Sequence, residues 1–334
     1  MAGSKSVVIA ALIANGAIAV LKFGGFLLTG SPSMLSETYH SISDTGNQVF
    51  LLVGIRYSGQ APDDRHPFGY GKAQFFYSFL VSVLLFGIAG WESAKHGYHK
   101  IQEALAGGRG HGGSEMVTLA GQTFPSVYVN YAVLIGAIVF ETWALLKARE
   151  AMVKQIEKND WSGYREAFRK TADTTTLTAF TEDSVALGGA GIALFGIFLT
   201  RQTGNPIYDA AAALLIGLLL MGFALALARE NKRLLLGESM PADAEAELRN
   251  LVADIDGVDR IVDFRTVYFG PKRIVVTADV DFVYGMSGRE IDDAVDAIER
   301  TLRDADDDIT SVFVEVEKDG RPPVTKGDGS GSGS

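Results

Sequence analysis

The chain has 334 residues and no cysteine. That absence removes disulfides, thiolate zinc sites and thiol catalysis together. Histidine is scarce, with five in all and none after Gly237. The C-terminal part also lacks the basic patch that a nucleic-acid-binding surface needs. The N-terminus shows no cleavable signal: Lys5 is followed by a long apolar run without a small-residue cleavage pattern, so the run is expected to be a mature span. Charge itself is missing over long stretches. Ala73–Trp91, Met116–Phe140 and Ala210–Ala228 carry none, and a soluble helix seldom goes so long without a polar face.

The charge that is present is unevenly placed. Up to Gly237 there are 17 acidic and 19 basic residues; from Glu238 onward there are 23 and 11. A break of this size marks a domain boundary near 237. Before it, six segments reach the roughly 20 mostly apolar residues that a spanning helix needs: Val7–Leu28, Pro32–Tyr57, Gly71–Tyr98, Val127–Ala148, Thr176–Thr200 and Ile207–Ala228. With both termini inside, one side holds Lys5, Arg56, Arg65, Lys72, the basic residues from Lys147 to Lys170, and Arg229, Lys232 and Arg233. The other side holds only Lys95, Lys100, Arg109 and Arg201, as the positive-inside rule requires. Gly107–Gly113 then becomes an outward-facing loop. The basic, amphipathic stretch Glu150–Ala172 is expected to include a short helix on the membrane surface.

After the boundary the pattern is that of a small soluble domain. Pro241–Lys318 reads helix, strand, strand, helix, strand. Leu248, Leu251, Val252 and Ile255 form a helical stripe, and Ile274, Val276, Ala278, Val280 and Phe282 alternate as a strand face. Ser287 and Glu290 form a capping-box pattern ahead of Ile291, Val295, Ile298 and Leu302. Helices on one face of a small sheet fit a ferredoxin-like α+β domain. Its core is modest, so dimerisation would help it. Domains are therefore expected at 1–237, 238–320 and a disordered tail at 321–334, whose Gly-Ser end reads as an artificial linker.

Ionisable groups inside spanning helices are costly and usually functional, and here they cluster. His40 and Asp44 sit at i and i+4 on one face of the second helix. Glu182 and Asp183 sit in the fifth helix, and Lys22 in the first. One imidazole with carboxylates suits zinc, and also manganese, iron or cobalt. The plainer alternatives are interhelical hydrogen bonds for His40 and Asp44 and a polar cytoplasmic vestibule for Glu182. Lys22 is expected to snorkel or to pair with an acidic group.

Four features resemble the cation diffusion facilitator family of zinc transporters. They are Ser33–Asp44 with its His-x-x-x-Asp pair; Asp63–Lys72, including Asp63 and His66, between helices two and three; Glu182–Gly188 in helix five; and the C-terminal α+β domain. The resemblance covers nearly the whole chain, and the Glu182-Asp183 pair is similar to the branch that contains the mitochondrial zinc-transporter homologue. It implies a homodimer in the lipid bilayer of a bacterial inner (plasma) membrane, exporting a divalent cation by alternating access with protons as counter-ion. The cargo it implies is Zn2+, with Mn2+, Fe2+ or Co2+ as alternatives of the same fold. A membrane metal sensor without flux is the rival from another class. An enzyme is not expected, because no water-activating base stands beyond the ligands.

His40, Asp44 and Asp183 carry over directly as metal ligands. The family's fourth ligand position is Ala179 here. Glu182 and Asp183 fall about 60° and 40° to either side of that direction on a helical wheel, so Glu182 is the expected replacement. In the loop, Asp63 and His66 match a further metal site, but Tyr70 stands where a second histidine is usual.

Overall fold

The computed structural model describes residues 2–106, 116–119 and 122–317. These divide into two compact units, one ending at Leu235 and the other beginning at Leu236. The glycine-rich segment 107–113, with Arg109, and the tail 321–334 lie outside the described residues.

The first unit is helical. Its long elements are α1 (Ala2–Thr29), α2 (Pro32–Ser58), α3 (Ala73–Leu84) continuing through a π-helical turn (Leu85–Gly90) into α4 (Trp91–Leu105), α5 (Val127–Lys158), α7 (Thr174–Thr203) and α8 (Ile207–Leu236). A short α6 (Tyr164–Lys170) joins α5 to α7. By length and composition, four rods among the described residues can cross a membrane: Ala73–Leu105, Val127–Lys158, Thr176–Thr203 and Ile207–Leu236. A shorter apolar stretch, Asn15–Thr29, lies in α1. The polar side chains of α2 keep it outside that group.

The helix expected from Val127 begins there; ahead of it, within the charge-free run, β1 (Met116–Leu119) and β2 (Gln122–Pro125) pair antiparallel. Charge patterning marks where apolar chain lies, not where the backbone turns. Two other features differ from the sequence expectation. The α5 helix runs ten residues past Ala148, to Lys158, so only 164–170 of the amphipathic stretch forms a separate helix. The third rod is interrupted by the π turn, where a residue is accommodated within the helix rather than ending it.

Large apolar side chains line the outside of this unit. Leu21 and Leu27 on α1, Ile42, Val49 and Val53 on α2, Val139 on α5, Phe195 and Phe198 on α7, and Leu215 and Leu218 on α8 are all exposed. Backbone groups are closed into helices behind them, as a hydrocarbon solvent demands. Between helices, small residues permit close approach. A Cβ on Gly217 of α8 would collide with the backbone of Ala94 on α4, and one on Gly97 of α4 with the backbone of Leu214 on α8.

The second unit is α+β: α9 (Ala242–Ala253), β3 (Val258–Gly270), β4 (Arg273–Phe282), α10 (Gly288–Ala305) and β5 (Ile309–Val316). Its sheet runs β3-β4-β5, antiparallel then parallel. Leu248, Val252, Val276, Val280, Ile298 and Leu302 are buried in its core, each apolar side chain contributing about 1.5–3 kcal/mol. The Ser287–Glu290 capping box forms in both directions and starts α10.

Candidate metal centre between α2 and α7

The α2 helix starts cleanly. Ser31 caps it by accepting from the Met34 N–H, and Pro32 occupies the first turn, where its missing N–H costs nothing. Downstream, Ser33, Glu37, His40, Ser41, Asp44 and Asn47 recur at three- and four-residue spacing, and all are buried. The helix packs against α1, α3, α4 and α7, so its polar stripe faces protein while Ile42, Val49 and Val53 face out.

His40 Nδ1 lies 3.3 Å from Asp44 Oδ1, without a hydrogen bond between them. Both His40 nitrogens, Asp44 Oδ1 and Glu182 Oε1 are buried with no hydrogen-bond partner. Asp44 and Glu182 are in hydrogen-bonding contact across the α2–α7 seam, and Glu182 also reaches Asn47. Two carboxyl groups held together in a largely buried seam need a proton or a cation between them. Buried polar atoms left unpaired cost free energy that a ligand would recover.

Asp183 stands next to Glu182 but is not drawn into this contact. Among the described residues no three His, Asp or Glu side chains are gathered tightly enough to hold a metal ion. Ala179 lies on the exposed side of α7, whereas Thr178 and Thr181 are buried.

Three buried acids went unmarked in the sequence. Glu37, one turn before His40, forms a fully buried ion pair with Lys22 of α1 at 2.8 Å, both side chains being 0% exposed. Of the two expectations for Lys22, snorkelling or pairing with an acidic group, the pairing is the one found. The second Glu37 oxygen, Oε1, has no hydrogen-bond partner; it sits where a Cβ on Gly189 of α7 would come within 2.6 Å. Gly189 is therefore a close-approach glycine, while a Cβ on Gly188 would meet its neighbour at an ordinary 3.8 Å. Glu141 of α5 is buried and close enough to act electrostatically on Lys22 and Asp44. Asp209, at the start of α8, accepts from the Ser31 hydroxyl at 2.7 Å, the Ser33 N–H at 3.2 Å and the Ser33 hydroxyl. Both its oxygens are occupied, so it ties α8 to the first turn of α2. Glu37 was legible in principle: it continues the stripe through His40 and Asp44.

The loop between α2 and α3 is closed differently. Asp63 Oδ1 accepts from the N–H groups of Arg65 (3.0 Å) and His66 (2.7 Å), and Oδ2 from the Tyr70 hydroxyl (2.7 Å). His66 Nδ1 lies 3.3 Å from Asp63 Oδ1, and its ring is 4.1 Å from that of Tyr70. The Tyr70 hydroxyl holds the Asp63 carboxyl below the usual range, and the carboxylate pushes the Tyr70 phenol up to about 12. A metal on Asp63 and His66 would have to displace the Tyr70 bond.

Residues 8–236 match the cation efflux transmembrane domain and residues 240–319 the cytoplasmic domain of cation efflux proteins. The chain belongs to the cation diffusion facilitator family. It is 31% identical over 280 residues to the human mitochondrial proton-coupled zinc antiporter SLC30A9, covering 84% of this chain and 46% of that protein. It is 27% identical over 279 residues to metal tolerance protein C4 of Arabidopsis thaliana, covering 84% and 57%. It is 26% identical over 270 residues to the cation-efflux pump FieF of Escherichia coli O127:H6, covering 80% and 77%. The chain thus spans about half the length of the zinc antiporter it matches. As a cation diffusion facilitator it is an integral membrane protein with a C-terminal cytoplasmic domain of helices and strands.

Proposed function

We propose that this chain exports a divalent metal ion, zinc foremost, in exchange for protons, carrying it between α2 and α7. The unpartnered, buried donor atoms of His40, Asp44 and Glu182 at that seam carry the reading. His40, Asp44, Glu182 and Asp183 are the ligands. Asp183 lies about 100° from Glu182 on the helix, so a modest rotation of α7 upon loading brings it in. Glu182 serves as the fourth donor, which the exposed position of Ala179 on α7 supports.

Protons and metal compete because carboxylates and imidazole must shed protons to bind a cation. A proton gradient then drives release as the bundle alternates its access. Six spans, with α1 and α2 completing the four apolar rods, put both termini in the cytoplasm of a bacterial plasma membrane. Residues 1–237 form the transport domain and 238–320 the domain through which two copies pair. The loop at Asp63 and His66 is held by Tyr70 and works without a metal. Three carboxylates to one imidazole also suit a harder ion such as manganese, and that second reading concerns the cargo, not the cycle.

The test is flux. Protein reconstituted in liposomes should move zinc faster under a pH gradient than without one, across a panel including manganese, iron and cobalt. Metal binding without flux under either condition would favour a sensor.

A further inference from the structure

A concave groove is lined by residues other than those of the metal seam. Arg165 and Arg169 of α6 and Arg229 of α8 line a groove of about 610 Å3, together with Tyr164, Phe168, Phe180 and Leu225. Neighbouring charges find partners: Lys170 pairs with Glu166 at 2.8 Å, and Arg233 with Glu230 at 2.5 Å. Among the described residues, Arg165, Arg169 and Arg229 find none. The Glu230 carboxylate, which also lines the groove, is already committed to Arg233.

The groove is built, not incidental. Tyr164 and Phe180 stack with centroids 5.5 Å apart and planes 1° from parallel. Arg149 of α5 donates to the Tyr164 hydroxyl at 3.0 Å. Phe168 packs on the core of Met152, Ala167, Leu177 and Leu227. Gln155 of α5 donates to Asp173 at 2.7 Å and accepts from Thr171 at 2.9 Å. These bonds anchor the two ends of the α6 strap. Unpaired guanidinium groups thus share one groove with aromatic rings and with Leu225, an exposed side chain of the apolar α8.

We propose that this groove binds one phospholipid with an anionic phosphodiester headgroup. Arginine forks match phosphate oxygens in bidentate geometry, and the apolar wall receives the start of an acyl chain. A free inorganic anion would use the arginines but have no need of Leu225 and Phe180. The proposal rests on the membrane location and not on the metal site, so transport can fail while lipid binding stands.

Full-length protein would be reconstituted in nanodiscs of phosphatidylcholine with a minor fraction of phosphatidylglycerol, then extracted in detergent, and the retained lipid counted by native mass spectrometry. Wild-type protein should retain about one phosphatidylglycerol per protomer over phosphatidylcholine. Arg165→Gln, Arg169→Gln and Arg229→Gln should each lower that retention about fivefold, and the triple variant should abolish it. If the triple variant does not insert, the single variants carry the test. Millimolar inorganic phosphate should not compete; competition would show a soluble-anion site and overturn the proposal. No preference for phosphatidylglycerol, or retention unchanged in the variants, would overturn it too. So would loss of the dimer in the variants, which would make the groove an interface between protein surfaces.

Discussion

Two helices of this chain are built inside out with respect to each other. The α2 helix buries Ser33, Glu37, His40, Ser41, Asp44 and Asn47 and exposes Ile42, Val49 and Val53. In the other unit, α10 buries Ala294, Ile298 and Leu302 and exposes Asp292, Asp293, Asp296 and Asp304. The same spacing rule serves both. What differs is the solvent. Water rewards hiding apolar surface, whereas in hydrocarbon apolar groups gain little by packing inward and polar groups must find partners. A buried polar stripe is therefore the face to test for function in one unit, and an apolar stripe is the core in the other.

The sharpest way to break the comparison is to make the α2 stripe apolar at its centre. Asp44→Ala should reduce metal flux to the background of empty liposomes, with the dimer intact on size exclusion. Normal flux would remove the seam from the mechanism.

The next largest effect should come from Lys22→Met, which leaves Glu37 buried without its cation. Breaking a fully buried ion pair costs on the order of 3–5 kcal/mol, read as a lowered thermal midpoint. Adding Glu37→Gln should restore most of the loss. A double variant as unstable as the single would mean that Lys22 acts through something other than this pair.

In the second unit the corresponding lesion is Ile298→Ala, expected to cost about 2–5 kcal/mol in a fragment spanning 241–317. That fragment should fold without zinc, as judged by circular dichroism, since it contains neither cysteine nor histidine. Metal-dependent folding would contradict an apolar core as the source of its stability.

A smaller change is Glu182→Gln, which keeps the shape of the side chain and removes its charge. Metal affinity should fall about tenfold, or 1.4 kcal/mol, with an altered pH dependence of flux. An unchanged affinity and pH profile would place Glu182 outside the coordination sphere.

The smallest effect belongs to a region that follows neither plan, the exposed loop. Tyr70→Phe should raise the Asp63 carboxyl towards its ordinary value, measurable by NMR titration. Because the folded value is depressed, the Tyr70 bond supports the loop above the ordinary carboxylate range and is lost as pH falls through the lowered one. An unmoved Asp63 would mean that the backbone N–H groups, not Tyr70, set it.

The sequence by itself determined a great deal. Charge-free runs marked most of the apolar helices, because a soluble helix seldom lacks a polar face for so long. The capping box at Ser287 stands where α10 begins, since a cap is a local property. His40 and Asp44 were legible as a pair because four residues make one helical turn. Only the tertiary structure decided the rest. Lys22 and Glu37 lie fifteen residues apart on different helices, and no pattern along the chain pairs them. Asp209 meets Ser31 and Ser33 across nearly 180 residues, and Arg229 joins Arg165 and Arg169 only because α8 packs beside the α6 strap. Whether Glu182 or Asp183 turns towards Asp44 was likewise beyond the wheel, which put both near the seam. That choice depends on the rotation of α7 about its axis, and rotation is fixed by side chains on neighbouring helices.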